Sequence, residues 1–177
     1  MMIEQHWFIA YTRSCQEKNV AAELEARGIA TFLPARKVIR QWSDRKKVVD
    51  QMLIPRIVFV YCTEKERRDS CGTVHYLVRY LTDFPGSAKP ARVPGSQMQD
   101  FIAMVTGSPS EVVFTDRRLQ PGDMVRINRG PFEGRVVEIV NLEGKHYAAV
   151  RLPVLGSALT QIDIDSIERV SCAKNEK

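Results

Sequence analysis

Apolar and polar residues change rhythm several times along the 177-residue chain, and each rhythm predicts an element. Trp7–Thr12 is rich in aromatic and branched side chains, which suit a pleated, half-buried surface, and reads as a first strand. Ser14 followed three residues later by Glu17 has the spacing of a capping box. Val20 and Leu24, with alanines between them, then lay an apolar stripe along a helix that Gly28 stops. Thr31–Leu33 and Val38–Trp42 read as strands divided by Pro34. Ser43, Asp44 and Arg45 supply turn chemistry, and the chain returns over Lys46–Met52. Ile54–Cys62 is almost wholly apolar, as expected of a central strand buried on both faces. Glu64–Cys71 reads as a short charged helix, His75–Leu81 as a strand, Pro90–Val93 as a short extended piece, and Ser96–Val105 as a helix opened by Ser96 and Gln99.

Thr106–Ser110 breaks this pattern, and the sequence stays polar and turn-rich to about Gln120. Beyond Pro121 and Gly122 the rhythm becomes that of short strands at close spacing. These are Met124–Asn128, Gly134–Val140, Tyr147–Leu152, Leu159–Asp163 and Ile167–Val170, which predict a small β-barrel. The expected organisation is therefore α+β. An antiparallel sheet flanked by helices spans residues 1–108, a linker spans 109–119 and a β-barrel spans 120–172.

Charge sharpens this division. The chain carries 26 Lys and Arg against 21 Asp and Glu. Residues 1–108 hold 16 basic and 11 acidic side chains, whereas residues 109–177 hold 10 of each, so the whole +5 excess belongs to the first part. Much of it lies in Arg36, Lys37, Arg40, Arg45, Lys46 and Lys47, with Asp44 as counter-charge. Such a patch either attracts a phosphate backbone or is a solvated hairpin tip, and charge alone does not decide between them.

Other chemistries find little support. Four cysteines (15, 62, 71, 172) and three histidines (6, 75, 146) are scattered without metal-ligand spacing, so no metal is expected. There is no nucleophile–base grouping, no phosphate-binding glycine loop and no implied cofactor, and the expectation is a protein that is not an enzyme. The longest apolar run, Ile57–Cys62, is far short of the roughly 20 residues of a membrane span, and the N-terminus lacks a signal-peptide pattern. A soluble, cytoplasmic monomer is expected.

The most specific stretch is Gly122–Gly134. Val125 and Ile127 alternate toward a barrel core, Gly130 and Pro131 begin a tight reversal, Phe132 stands at its tip, and Gly134 lets the next strand depart. This stretch closely resembles a KOW motif. The Trp-led strand, the amphipathic helix, the basic hairpin and the apolar Ile54–Val60 strand precede it, and the whole resembles the NusG family, with an N-terminal NGN and a C-terminal KOW domain. Arg56 and Ile57 stand where that family usually has Gly and Tyr. With the Leu152–Thr160 segment, this looks like the specialised UpxY-type antiterminators of capsule operons, with RfaH a more distant relative.

The resemblance implies a transcription elongation or antitermination factor that binds the clamp helices of RNA polymerase and suppresses pausing and termination. Tyr11, Ile54, Ile57 and Phe59 occupy the matching docking positions. Strand alternation turns either Ile57 and Phe59 or Val58 and Val60 toward the helices. Arg13, Lys18 and the cations Arg36, Lys37, Arg40, Arg45, Lys46 and Lys47 would face non-template or upstream DNA. Gly130, Pro131, Phe132, Glu133 and Gly134 would meet a KOW partner such as a ribosomal protein or Rho. The alternatives are a housekeeping NusG role and, more distantly, a ribosome-associated RNA-binding protein, which the neutral barrel disfavours.

Overall fold

A computed structural model describes residues 4–42, 45–108, 111–116, 119–130, 132–162 and 167–169. Its first half is built on strand β1 (Gln5–Thr12), helix α1 (Glu17–Ala26), β2 (Ala30–Phe32), the β3–β4 hairpin (Ala35–Gln41 and Lys46–Met52) and β5 (Ile57–Thr63). Helix α2 (Glu64–Ser70), β6 (Leu77–Tyr80), β7 (Arg92–Val93) and helix α3 (Gly95–Gly107) follow. Strands β2, β5, β1 and β6 lie in that order in one antiparallel sheet, with β7 also pairing with β1. The two central strands are covered on both faces. Phe8, Ala10, Val58, Val60 and Cys62 pack with Val20, Ala21 and Leu24 of α1. Ile9, Ile57 and Phe59 point the other way and pack with Met98, Phe101 and Met104 of α3. The period-2 alternation of a strand makes this division, and burial on both sides explains why β5 carries almost no polar residue.

The second half is all strand: β8 (Val112–Thr115), β9 (Asp123–Ile127), β10 (Val136–Leu142), β11 (Lys145–Leu152), β12 (Gly156–Gln161) and β13 (Ile167–Arg169). They form a six-stranded antiparallel sheet in the order β13-β9-β10-β11-β12-β8. This sheet seats on α3. Arg135 binds Asp100 at 2.6 Å, Ser108 and Thr160 share a hydroxyl hydrogen bond of 2.6 Å, and a single apolar cluster runs from Ile9 through Phe101 to Val125, Val150 and Ala158. No helix among the described residues is long and apolar enough to cross a membrane.

Several sequence expectations are corrected at the ends of elements. Ser14 makes no cap for α1, whose N-cap is Gln16 without a side-chain bond. The chain turns at Cys15 with φ 60°, and Glu17 enters the helix and hydrogen-bonds elsewhere. The capping box that does form belongs to α2, where Thr63 and Glu66 satisfy each other's backbone N–H groups. Ser96 likewise does not cap α3, which begins after Pro94. The central strand starts at Ile57 rather than Ile54, because Pro55 has no N–H for the ladder and Arg56 takes φ 66°. Part of the segment read as a linker, Val112–Thr115, pairs with β12.

Candidate nucleic-acid and protein interface

At the end of β1 the sequence folds three strained residues into one corner. Arg56, Tyr76 and Cys15 all have positive φ (66°, 65° and 60°), a conformation that L-residues adopt reluctantly. Backbone bonds hold the corner. The Thr12 N–H donates to the Arg56 carbonyl and the Arg13 N–H to the Tyr76 carbonyl, each at 2.9 Å. The Arg56 N–H donates to the buried Glu17 carboxylate at 2.7 Å, and its Nε–H donates to the Thr12 carbonyl at 3.2 Å. This fixes the Arg56 guanidinium 4.4 Å from the centre of the Tyr11 ring, with Arg79 at 5.8 Å from the same ring. Tyr76 is exposed beside them. The result is an aromatic ring capped by two cations, with Arg13 exposed next to it: a surface that favours anionic or π-rich partners.

The apolar docking candidates lie deeper. Ile54, Ile57 and Phe59 are buried, and Phe59 is fully enclosed, 5.5 Å from the Phe101 ring of α3 and 6.4 Å from Phe32. Of the four residues at these positions Tyr11 alone is half-exposed. The sheet face that carries Ile57 and Phe59 is thus covered by α3, and the C-terminal sheet reaches the same helix through Asp100 and the C-cap Ser108.

The basic side chains stand on the β3–β4 hairpin, which pairs with neither large sheet. Its register places Arg36 opposite Gln51, Lys37 opposite Asp50, Arg40 opposite Lys47 and Gln41 opposite Lys46. The cross-strand pairs Val38–Val49 and Ile39–Val48 supply its local stabilisation. Lys18 of α1 binds Asp50, which ties the root of the hairpin to the helix and holds the Asp50 carboxyl below its ordinary value. Lys18 therefore acts first as a strut. A cleft of about 610 Å³ lies between the root of the hairpin and β8, lined by Met52, Leu53, Val112 and Phe114 among others. Arg40, Arg45, Lys46 and Lys47 are exposed beyond it. Asp44 lies outside the described residues.

In the C-terminal sheet the Gly130–Gly134 reversal is closed by backbone bonds from Glu133 N–H to Gly130 O and from Gly134 N–H to Ile127 O. Phe132 is buried in the core rather than exposed at the tip, so it anchors the loop from within. Gly130 and Gly134 have φ 93° and 77°, which explains glycine at both positions. Glu133 is exposed, and Pro131 lies outside the described residues.

Sequence reasoning missed the role of Arg56, Arg79 and Tyr76 around Tyr11. The signal available was the arginine standing where a glycine is usual. Its consequence, a cation over Tyr11, depends on the strand pairing that sets Tyr11 opposite Ile57.

Two family profiles match the chain. The NusG profile, described as transcription termination factor NusG, matches residues 5–102, and the KOW motif matches residues 121–151. No curated protein matches the sequence. Among solved structures, that entitled "Domain interaction in Thermotoga maritima NusG" is 20% identical, with 94% of this chain and 98% of that one covered and a TM-score of 0.48. The MjSpt4:Spt5 complex in conformation A is 15% identical, with 93% and 97% covered and a TM-score of 0.29. With an NGN region that spans the first sheet and its helices and a KOW motif in the second, the chain belongs to the NusG family of transcription factors.

Proposed function

We propose that the protein is an elongation and antitermination factor that binds RNA polymerase and suppresses pausing and termination on particular operons, such as polysaccharide loci. The observation that carries this reading is a pair of cationic surfaces in the first half of the chain: the half-exposed Tyr11 with its arginines at the end of β1, and the separate basic hairpin tied to α1 through Lys18 and Asp50. Tyr11 offers an aromatic anchor inside a cationic rim, the composition of a small interface in which one or two residues carry most of the affinity. Arg13 and the hairpin cations Arg36, Lys37, Arg40, Arg45, Lys46 and Lys47 supply salt-dependent contacts to the DNA at the same complex. No covalent step is required. Holding polymerase and DNA together favours the elongating state over paused ones.

Ile54, Ile57 and Phe59 support the docking surface from beneath, and direct contact with Phe59 requires α3 to move. Arg56 supports the specialised rather than the housekeeping role, because it adds a cation where the family has a hydrogen. The Gly130–Gly134 loop, with Glu133 outward, offers a contact to a protein partner such as a ribosomal protein or Rho.

The test is retention of the host RNA polymerase by the full chain, with and without Tyr11→Ala. The variant is expected to keep its fold and to bind more weakly by about 1–2 kcal/mol, the range of an interface anchor. Undiminished binding by a folded Tyr11→Ala variant, or no binding by the wild type to a stalled elongation complex, overturns the reading.

A further inference from the structure

We infer that Trp42, at the end of the β3–β4 hairpin, is a stacking platform for an unpaired nucleobase, with Arg40, Arg45 and Lys47 gripping the flanking phosphates. This rests on the hairpin meeting nucleic acid, and it names the chemistry by which it would do so.

Trp42 contributes little to the fold. The strand ladder ends at the Gln41–Lys46 pair, and Trp42 lies beyond it. Its backbone N–H donates to the Arg45 carbonyl at 2.9 Å, so the turn is closed by the main chain and has no need of the indole. The side chain is 62% exposed and faces no other aromatic ring among the described residues. The branched pairs Val38–Val49 and Ile39–Val48 already stabilise the hairpin. A large apolar ring held in water at the tip of a two-stranded arm contributes nothing to a core.

Its neighbours point to the ligand. Alternation puts Arg40 and Trp42 on one face of the hairpin, and antiparallel pairing sets Lys47 opposite Arg40 and Arg45 opposite Trp42 on the same face. One indole and three cations thus share a surface two rungs long, with rungs about 7 Å apart. All four residues are exposed. The described acid of the hairpin, Asp50, is engaged by Lys18 at the root, away from this face. A protein partner that presented an apolar pocket to Trp42 would have to desolvate or pair three positive charges around it. A nucleic-acid strand satisfies both needs at once, because each nucleotide carries a π-face and an anionic phosphate. A single strand fits better than a duplex, since base pairing and stacking hide the π-faces except at an end.

The experiment is binding of the full chain, at low and moderate salt, to a fluorescein-labelled single-stranded 12-nucleotide DNA and to a strand of the same length built of abasic sites. The two carry the same phosphates and differ in bases. Trp42→Leu is expected to weaken binding to the base-bearing strand by about tenfold, within the range of one lost stack, and to leave the abasic strand unchanged. Trp42→Phe should retain most of the affinity, and the indole fluorescence lost in Trp42→Leu should be quenched on binding by the wild type. The double reversal Lys46→Glu, Lys47→Glu should weaken both strands and flatten the salt dependence. Equal behaviour of Trp42→Leu and wild type on the base-bearing strand, or an equal loss on both strands, overturns the stacking role while leaving the hairpin's phosphate contacts in place. Tighter binding to a blunt duplex than to the single strand also overturns it. Failure of the wild type to bind either strand overturns the nucleic-acid role of the hairpin itself. Polymerase retention through Tyr11 is measured separately and depends on none of these outcomes.

Discussion

Arg56 holds a left-handed backbone conformation at φ 66°, which costs an ordinary residue about 1–2 kcal/mol, and it stands where the family usually has a glycine. What offsets the strain is local: the hydrogen bonds Arg56 donates to the Thr12 carbonyl and the Glu17 carboxylate, and the stacked contact with Tyr11. Arg56→Gly should therefore change stability by less than about 1 kcal/mol in urea denaturation, since relief of strain cancels the lost contacts. The same variant should weaken polymerase retention, which would mark Arg56 as a residue kept for binding. Glu17 differs. It is buried and accepts the Arg56 N–H at 2.7 Å, so Glu17→Ala strands that donor and should cost about 1–3 kcal/mol by the same measurement. Phe59→Ala is expected to cost about 3–5 kcal/mol, because Phe59 is fully enclosed against Phe101 and Phe32. The family resemblance offered Tyr11 and Phe59 as similar aromatic anchors. Only packing separates the half-exposed ring from the core ring.

Among the elements, β5 was the most legible, because a strand buried on both faces has no polar face to keep and its composition shows it. Its C-terminal end carries a chemical prediction. Burial, reinforced by the nearby Glu66 carboxylate, pushes the Cys62 thiol up to about 12, so it stays protonated at ordinary pH. In a Cys172→Ser background, a thiol reagent at pH 8 should modify the exposed Cys15 and Cys71 rapidly and Cys62 only on unfolding. In the C-terminal sheet, Glu138 binds Arg151 at 2.7 Å and accepts the Gly122 N–H at 2.8 Å. Arg151, more than the backbone bond, holds the Glu138 carboxyl below its ordinary 4.5. Its stabilisation is therefore complete above that value and lost as the pH falls through the lower, folded one. Glu138→Gln should lower the urea midpoint at pH 7, with an energetic loss of about 1 kcal/mol, and the two proteins should converge in acid. Helix starts were read less well. Ser14 with Glu17, Ser96 with Gln99 and Thr63 with Glu66 share one spacing, yet only the last forms a capping box. A capping serine or threonine must sit at the N-cap itself, and that position is set by where the chain leaves the preceding strand.

At the scale of the molecule, α3 packs against both sheets. Phe101 faces the first sheet at Phe59, while the adjacent Asp100, about 100° round the helix, pairs with Arg135 of the second. One apolar cluster crosses the junction, so calorimetry of the wild type should show a single transition. Asp100→Arg faces Arg135 with like charge and should split or broaden that transition. The chain's own order of apolar, charged and turn residues determined the α+β first half, the all-strand second half, the basic hairpin and the glycine-bounded reversal at 130–134. Each is a local matter of periodicity, backbone freedom or charge, which a linear string records. The corner around Tyr11, the burial of Phe59 and Phe132, the pairing of Val112–Thr115 with β12 and the seating of the second sheet on α3 were decided only by tertiary structure. They depend on which distant residues share a face, and that follows from strand register and from the packing of the whole chain into a common core.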